Sequence, residues 1–172
     1  PLLDFAMQNN IPFIGTNIPR RYASLVARKG MTVLDSLNPE AKKYMAPLPL
    51  EVDMELPGYK NMMSMMGGHD GGSSHGGMQA ENMVYAQAIK DATMAHFILE
   101  NLRENSTFVH FNGSYHSDNF EGIYWYLKEA SPDLNIVTIT SVEQENISEW
   151  DEELKGRADY IISIPEDMTK TY

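Results

Sequence analysis

A strand, a helix and a second strand predicted between residues 107 and 140 constrain the fold more than any other feature of this sequence. Residues 107–111 are rich in β-branched and aromatic side chains, which favour strands. A helix is predicted at 120–130 and the second strand at 135–140. Strands joined through a helix lie parallel, with a right-handed crossover. The pattern therefore predicts an α/β fold whose parallel sheet is covered by helices.

The segments on either side fit the same fold class. An apolar run at 11–16 predicts a further buried strand, and it leads into a helix at 20–29 for which Asn17 is the expected cap. A short acidic helix at 147–154 and a final strand at 158–164 complete the predicted elements.

Residues 80–104 predict the longest helix of the chain. Apolar side chains recur there at spacings of three and four, so they line one face. Asp91 lies on this apolar face, and it needs a partner if it is buried.

Residues 37–79 predict an irregular lobe beside an α/β domain made of residues 1–36 and 80–172. The lobe is rich in proline and includes a short helix at 39–44. Methionine, histidine and six glycines follow at 62–78, and a backbone so rich in glycine is expected to be flexible. Thioether and imidazole groups suit Cu(I), but their spacing here is not fixed; a mobile cover over an apolar, planar ligand is the alternative.

Composition narrows the classes of function. The net charge of −11 disfavours nucleic acid as a partner, because a phosphate backbone requires a clustered basic surface. The absence of cysteine excludes disulfides, thiolate catalysis and cysteine-ligated zinc. The first residues, from Pro1, are typical of the end of a helix, so we expect the chain to be part of a longer protein.

The loop at 112–118 concentrates more functional groups than any other stretch of similar length. Gly113 allows a sharp turn or the close approach of a ligand. His116 can ligate a metal or move a proton, and the phenol of Tyr115 is a ligand for ferric iron. Asp118 is placed to orient the imidazole. The alternative is a polar loop whose side chains cap the next helix.

A second loop, at 15–20, follows the other predicted strand. Ligands of open α/β sheets bind where such loops meet, at the carboxyl ends of the strands. Asn17 lies in this loop, and Arg20 and Arg21 begin the next helix, where a guanidinium and the helix dipole both attract anions. The alternative is a pair of surface arginines. His110, within its strand, is expected to be a core histidine with its hydrogen bonds satisfied.

Three motifs, at 14–20, 85–95 and 108–116, occur in the order found in one known family. Together they resemble the ChaN-like haem-binding lipoproteins, which are more distantly similar to erythromycin-esterase-like and TraB/Tiki-like proteins. The resemblance covers most of the chain except residues 37–78 and the C-terminal tail. It implies a three-layer α/β/α domain with a mainly parallel sheet and a small, partly helical lobe.

The resemblance also implies a function. Members are envelope lipoproteins, outside the cytoplasm, that bind haem for iron uptake, with two haems stacked at a homodimer interface. A tyrosine ligates the iron, and basic or imidazole groups meet the propionates. Tyr115 has the best location for the iron ligand, and Tyr44 and Tyr59 are its rivals. A lipid anchor upstream would be the only membrane attachment.

The chain departs from the family pattern in two respects. The family's Gly-Glu-x-His motif on its first strand is absent, and we expect it upstream of Pro1. The segment rich in methionine and glycine at 62–78 is not a feature of the family.

An alternative function is metal-dependent hydrolysis. The wider group shares Gly-x-x-His motifs, which Gly113 and His116 match, and a divalent ion held there would activate water with Asp91 or Asp118 as a base. Binding is favoured over catalysis, because the sequence shows no pair of nucleophile and base.

Overall fold

The computed structural model describes residues 1–67, 74–149 and 151–169. The helices and strands of this part of the chain are, in order, α1 (Leu2–Gln8), α2 (Arg20–Lys29), α3 (Pro39–Lys42), α4 (Pro57–Gly67), α5 (Ser74–Asn101), α6 (Ile123–Ala130), β1 (Ile139–Gln144) and β2 (Tyr160–Pro165). Single turns or short stretches of 3-10 helix lie at Met31–Ser36, Ser114–His116, Asp118–Phe120 and Glu152–Leu154. Among these helices, none is both long enough and apolar enough to span a membrane.

Helix α5 is the centre of the fold. Helices α2, α4 and α6 all pack against it. The side chains of Val84, Ala88 and Ile89 are fully buried, because neighbours cover the helix on several sides. The predicted apolar face is confirmed, although the helix begins before residue 80. Asp91, on the same face, is 0% exposed.

The sheet of the described residues is small. Strands β1 and β2 pair in parallel, with Ile139 opposite Tyr160. A parallel sheet is therefore confirmed, but the predicted pair of strands at 107–111 and 135–140 is not formed in the described residues, and β1 begins at Ile139. The result is a mixed α/β chain that is mostly helical, and the expected three-layer arrangement is not shown.

The strands predicted at 11–16 and 107–111 are not formed in the described part of the chain. A strand requires a ladder of backbone hydrogen bonds to a neighbour, and neither segment has one there. Residues 107–111 still alternate in burial as a strand would. Phe108 packs against the core of α5 and α6, whereas Val109 and Phe111 are each 67% exposed. The alternation of apolar residues at 107–111 is therefore present, but without a neighbouring strand to pair with, the segment does not form a strand.

The lobe predicted at 37–79 is more regular than expected. Residues 57–67 form α4, and residues 74–78 belong to the first turns of α5. Met62 and Met63 pack against Val84 and Ala88, so burial of methionine favours helix over irregular backbone here. The remaining part of the predicted flexible segment, 68–73, lies outside the described residues, and the division into two domains stays a prediction.

Two local predictions near helix ends are wrong. Pro19 is the N-cap of α2, and no side chain caps it. Asn17 is too far from the first helical residue, Arg20, to serve as the cap. The acidic helix predicted at 147–154 is reduced, in the described residues, to one turn at Glu152–Leu154; residue 150 lies outside them.

His110 joins the 15–20 loop to the 112–118 loop. The amide nitrogen of Asn112 donates to the Gly113 carbonyl at 3.0 Å and to Ser117 Oγ at 2.9 Å, which turns Asn112 Oδ1 towards His110 Nδ1 at 3.1 Å. Nδ1 therefore carries the proton, and Nε2 accepts a hydrogen bond from Thr16 Oγ1 at 2.8 Å. The expected satisfied histidine is confirmed, and the two loops lie side by side.

Gly122 allows the loop after His116 to pack tightly on α5. Its φ of +55° and ψ of −120° lie in a region that glycine alone adopts easily. A Cβ at this position would lie 2.5 Å from the His116 carbonyl oxygen and 3.3 Å from Asp91 Cγ. The absence of a side chain is therefore a condition for bringing His116 and Asp91 together.

Burial lowers the pKa of His110 below its ordinary value of 6.5, and the hydrogen bond to Asn112 offsets part of this effect. The unfolded chain then binds this proton more readily than the folded chain does. The free energy of unfolding should consequently be highest above pH about 6.5 and fall as the pH decreases through the folded pKa. Urea unfolding at several pH values should show a shallower decrease for His110→Gln; an unchanged slope would contradict this.

Gly122→Ala should lower the free energy of unfolding by about 1–3 kcal/mol, because alanine is strained at this φ and its Cβ meets backbone. Gly113→Ala is the matched control: its φ is −73° and its ψ 150°, and a Cβ there meets nothing within 4 Å. The control should change stability by less than about 0.5 kcal/mol. Equal urea midpoints for the two variants would refute the assigned role of Gly122.

Candidate functional site

The 112–118 loop folds back onto α5 and presents His116 to it. The loop forms two short 3-10 turns, Ser114–His116 and Asp118–Phe120. The backbone of Gly113 is extended and open to any residue, so the sharp turn that was expected to require this glycine is not present. Close approach of a ligand remains open at Gly113, because no atom lies within 4 Å of a Cβ built there.

A buried carboxylate holds the imidazole of His116. Asp91 Oδ1 contacts His116 Nδ1, and the side chain of His116 is 18% exposed while that of Asp91 is 0% exposed. A carboxylate oxygen only accepts hydrogen bonds, so this contact places the proton on Nδ1. Nε2 then carries a lone pair, and no hydrogen bond to it is formed by the described residues. The sequence predicts Asp91 on the buried face of α5, and the partner that it needs there is His116.

Gln87 competes for the same imidazole nitrogen. Its amide nitrogen lies 2.9 Å from His116 Nδ1 and donates weakly, at 3.5 Å, to the Tyr115 carbonyl. Nδ1 cannot donate to Asp91 and accept from Gln87 at the same time. The approach of Asp91 is the closer of the two, and the site is buried, so we assign the hydrogen bond to Asp91.

The second oxygen of Asp91 has its own partner. Tyr59 donates its hydroxyl to Asp91 Oδ2 at 3.0 Å. Burial and the neighbouring Asp91 raise the pKa of Tyr59 above its usual range, and burial likewise raises the pKa of the adjacent Tyr126. Tyr59 is 4% exposed and engaged with Asp91, so its place as a rival iron ligand is not supported. Tyr44, the other rival, is exposed.

Burial also raises the pKa of Asp91. The hydrogen bonds from His116 and Tyr59 act in the opposite direction and offset part of this effect. A carboxyl group that is wholly removed from water is costly to charge unless it is hydrogen-bonded, and here each oxygen has a donor. The arrangement is that of an imidazole oriented by a carboxylate, which is common behind the ligands of metals.

The sequence predicts that Asp118 orients the imidazole of His116, and the structure shows that it does not. Its Oδ2 accepts a hydrogen bond from Arg157 Nε at 2.6 Å, and the backbone nitrogen of Asn119 donates to the Arg157 carbonyl at 2.8 Å. These contacts tie the loop to the segment before β2. The second oxygen, Asp118 Oδ1, is buried, and no described residue forms a hydrogen bond with it. The position beside His116 is taken by Asp91, which reaches it from α5.

The other predicted site residues lie on the surface near the two loops. The side chain of Tyr115 is 70% exposed. Arg20 and Arg21 are exposed at the first turn of α2; Arg21 donates to the hydroxyl of Tyr22 at 3.1 Å and lies 4.6 Å from the centre of its ring. Asn17 is exposed as well. The structure thus brings Asp91 and His116 into contact and leaves the arginines accessible to anions.

Cavities occur elsewhere on the described chain. One of about 550 Å³ lies beside residues 141–144 and Arg157, and another of about 460 Å³ lies beside Met31 and Tyr85. His116 lines neither of them. In the described ranges, no group of three or more histidine, aspartate or glutamate side chains is placed to hold a metal ion.

Sequence reasoning missed Gln87 and Arg157, and it named Tyr59 as a rival iron ligand but not as the partner of Asp91. Gln87 could have been found, because it lies four residues before Asp91 on α5 and therefore shares its side of the helix. Tyr59 and Arg157 reach the site from distant segments, and no local pattern points to either of them.

The comparisons with known proteins identify the family of the chain. The chain matches the model of a family described as "Haem-binding uptake, Tiki superfamily, ChaN" over residues 1–127. No curated protein and no solved structure gives a match. The matched region is well over half of the 172 residues and contains Tyr59, Asp91 and His116. The chain therefore belongs to the haem-binding uptake (ChaN) family of the Tiki superfamily.

Proposed function

We propose that this protein binds haem at the 112–118 loop, with His116 as the candidate ligand of the iron. The observation that carries the proposal is the buried contact between Asp91 and His116 Nδ1, which leaves Nε2 unpartnered among the described residues. Membership of a haem-binding family supplies the class of ligand. An imidazole whose Nδ1 is held by a carboxylate would be well suited to hold haem iron through its Nε2.

The donor set fits haem. The porphyrin supplies four nitrogens to its iron, so that one or two protein groups complete the coordination. His116 offers one such group, and the exposed phenol of Tyr115 is the alternative to it, because two adjacent residues could not reach both faces of one porphyrin. Bound iron would supply an electrophilic centre for these ligands. The chain's own contribution is to hold the imidazole in one orientation through Asp91.

The alternative function, hydrolysis by a bound divalent metal ion, requires more protein ligands than haem does. A zinc-like ion takes three protein ligands in catalytic sites, whereas haem iron needs one. The oriented His116 could serve either chemistry, and Asp91 is already engaged as its support. Because one oriented imidazole, that of His116, is found in the described residues, the site suits haem better than a divalent ion.

The arginines at the start of α2 are proposed to meet the propionates. Arg20 and Arg21 are exposed, and the Thr16–His110 hydrogen bond places their loop beside the 112–118 loop. A guanidinium binds a carboxylate through paired hydrogen bonds, and the helix N-terminus adds a favourable field. Asn17, exposed in the same loop, is a further polar contact.

The wider role is proposed from the family. We infer that the protein is a cell-envelope lipoprotein in haem or iron uptake, with a homodimer as the form that encloses the ligand. The family description names uptake, which supports this role.

Hemin titration of the purified chain should give a shift of the Soret band, and His116→Ala should weaken binding by at least about tenfold, or about 1.4 kcal/mol. Tyr115→Phe tests the alternative ligand: the Soret shift should persist in this variant if His116 binds the iron, and it should be lost if Tyr115 does. His96→Gln is the control and should bind hemin as the wild type does; His96 lies in α5, with its ring 5.1 Å from that of Phe97. No Soret shift with the wild-type chain would refute the proposal.

Replacing both arginines (Arg20→Gln with Arg21→Gln) should weaken hemin binding by a few-fold at low salt, since exposed ion pairs contribute about 0.2–1 kcal/mol each. The difference should shrink at high salt, because ions screen exposed charges. Arg28→Gln, in the last turn of the same helix, is the control. An equal loss in the control, or a loss that salt does not change, would assign the effect to general charge or to structure.

A further inference from the structure

We propose that Tyr59 is a positioning residue for His116: by holding Asp91, it keeps the imidazole in the tautomer whose Nε2 is free to bind a ligand. The inference rests on the proposed haem site and adds to it a residue from a different part of the fold. Tyr59 lies in the first turn of α4 and does not itself contact His116 in the described structure.

Helix α4 is fixed over the site at its N-terminus. The backbone nitrogen of Gly58 donates to Glu121 Oε2 at 2.7 Å, and the carboxylate of Glu121 lies so close that a Cβ on Gly58 would meet it at 2.4 Å. An acidic side chain is favoured at this end of a helix. The contact holds the first turn of α4 against the residue that precedes Gly122, and it directs Tyr59 towards Asp91.

The hydrogen bond from Tyr59 determines which way the carboxylate faces. A carboxyl group turns easily about its last bond, because that torsion is broad. The hydroxyl of Tyr59 occupies Oδ2 at 3.0 Å, and this leaves Oδ1 directed at His116 Nδ1. Loss of the hydroxyl would free the carboxylate to turn within a site where Asp91 is fully buried and Tyr126 is its neighbour.

Gln87 supplies the competitor that makes the effect measurable. Its amide nitrogen lies 2.9 Å from His116 Nδ1 and could donate to that nitrogen if it lost its proton. Asp91 therefore favours the tautomer with the proton on Nδ1, and Gln87 favours the tautomer with the proton on Nε2. In the second tautomer Nε2 has no lone pair for a ligand. Tyr59 stabilises the first of these two arrangements.

The test uses the full chain without hemin, with its histidines labelled with ¹⁵N. Two-dimensional NMR above pH 7 distinguishes a protonated from an unprotonated ring nitrogen. The wild-type chain should show His116 with the proton on Nδ1, and Tyr59→Phe should shift the two ¹⁵N resonances towards a mixture of tautomers. Tyr85→Phe is the matched control, because its hydroxyl binds Glu81 at the surface of α5; it should keep the wild-type pattern.

Two results would overturn the inference. One is the finding that His116 of the wild-type chain carries its proton on Nε2. This measurement does not depend on whether any variant folds. The other is a folded Tyr59→Phe chain with the wild-type pattern.

Hemin titration of the same samples separates this inference from the proposed function. Tyr59→Phe should weaken hemin binding in inverse proportion to the fraction of His116 that keeps its proton on Nδ1, or about twofold for an equal mixture of tautomers. If wild-type His116 has its proton on Nδ1 and hemin fails to bind, the haem proposal falls and the positioning role stands. If hemin binds equally well to the wild-type and Tyr59→Phe chains, the positioning role falls and the haem proposal stands.

Discussion

The burial of one carboxylate, that of Asp91, governs the arrangement of the site. A carboxyl group removed from water requires donors, and Asp91 obtains one from α4 and one from the loop after residue 111. Both segments must therefore approach α5 at the same level. Gly122 permits the approach on the loop side, since any larger residue would meet the His116 backbone. The position of the imidazole follows from this requirement for donors.

Much of the helical part of the fold could be predicted from the sequence, because its signals are local. The period of α5 identified its buried face, and it placed Asp91 there before any partner was known. The polar loop that ends in His116 was recognised from residue types alone. Asp91 and His116 were both among the predicted site residues, and the structure places them in direct contact.

The remaining features depend on contacts between distant segments, which a single sequence does not encode locally. The residues at 107–111 have the composition of a strand, but pairing with a neighbour decides whether a strand forms. Arg157, 39 residues further along the chain, donates a hydrogen bond to the carboxylate of Asp118. The residue that orients the imidazole of His116 is Asp91 instead. Met62 and Met63 of α4 belong to the stretch predicted to be flexible, although they pack against α5 in a helix.

The contacts around Asp91 join positions 32 and 25 residues apart in the chain. Such a constellation exists only after the backbone has collapsed, because an unfolded polymer holds these groups far from one another. Binding and folding are consequently linked equilibria: a compound that recognises the assembled imidazole raises the melting temperature in proportion to the logarithm of its concentration. Thermal denaturation therefore reports how much of the site is occupied, without a label. Mutations far from His116 can also lower the apparent affinity, because they reduce the fraction of folded chains.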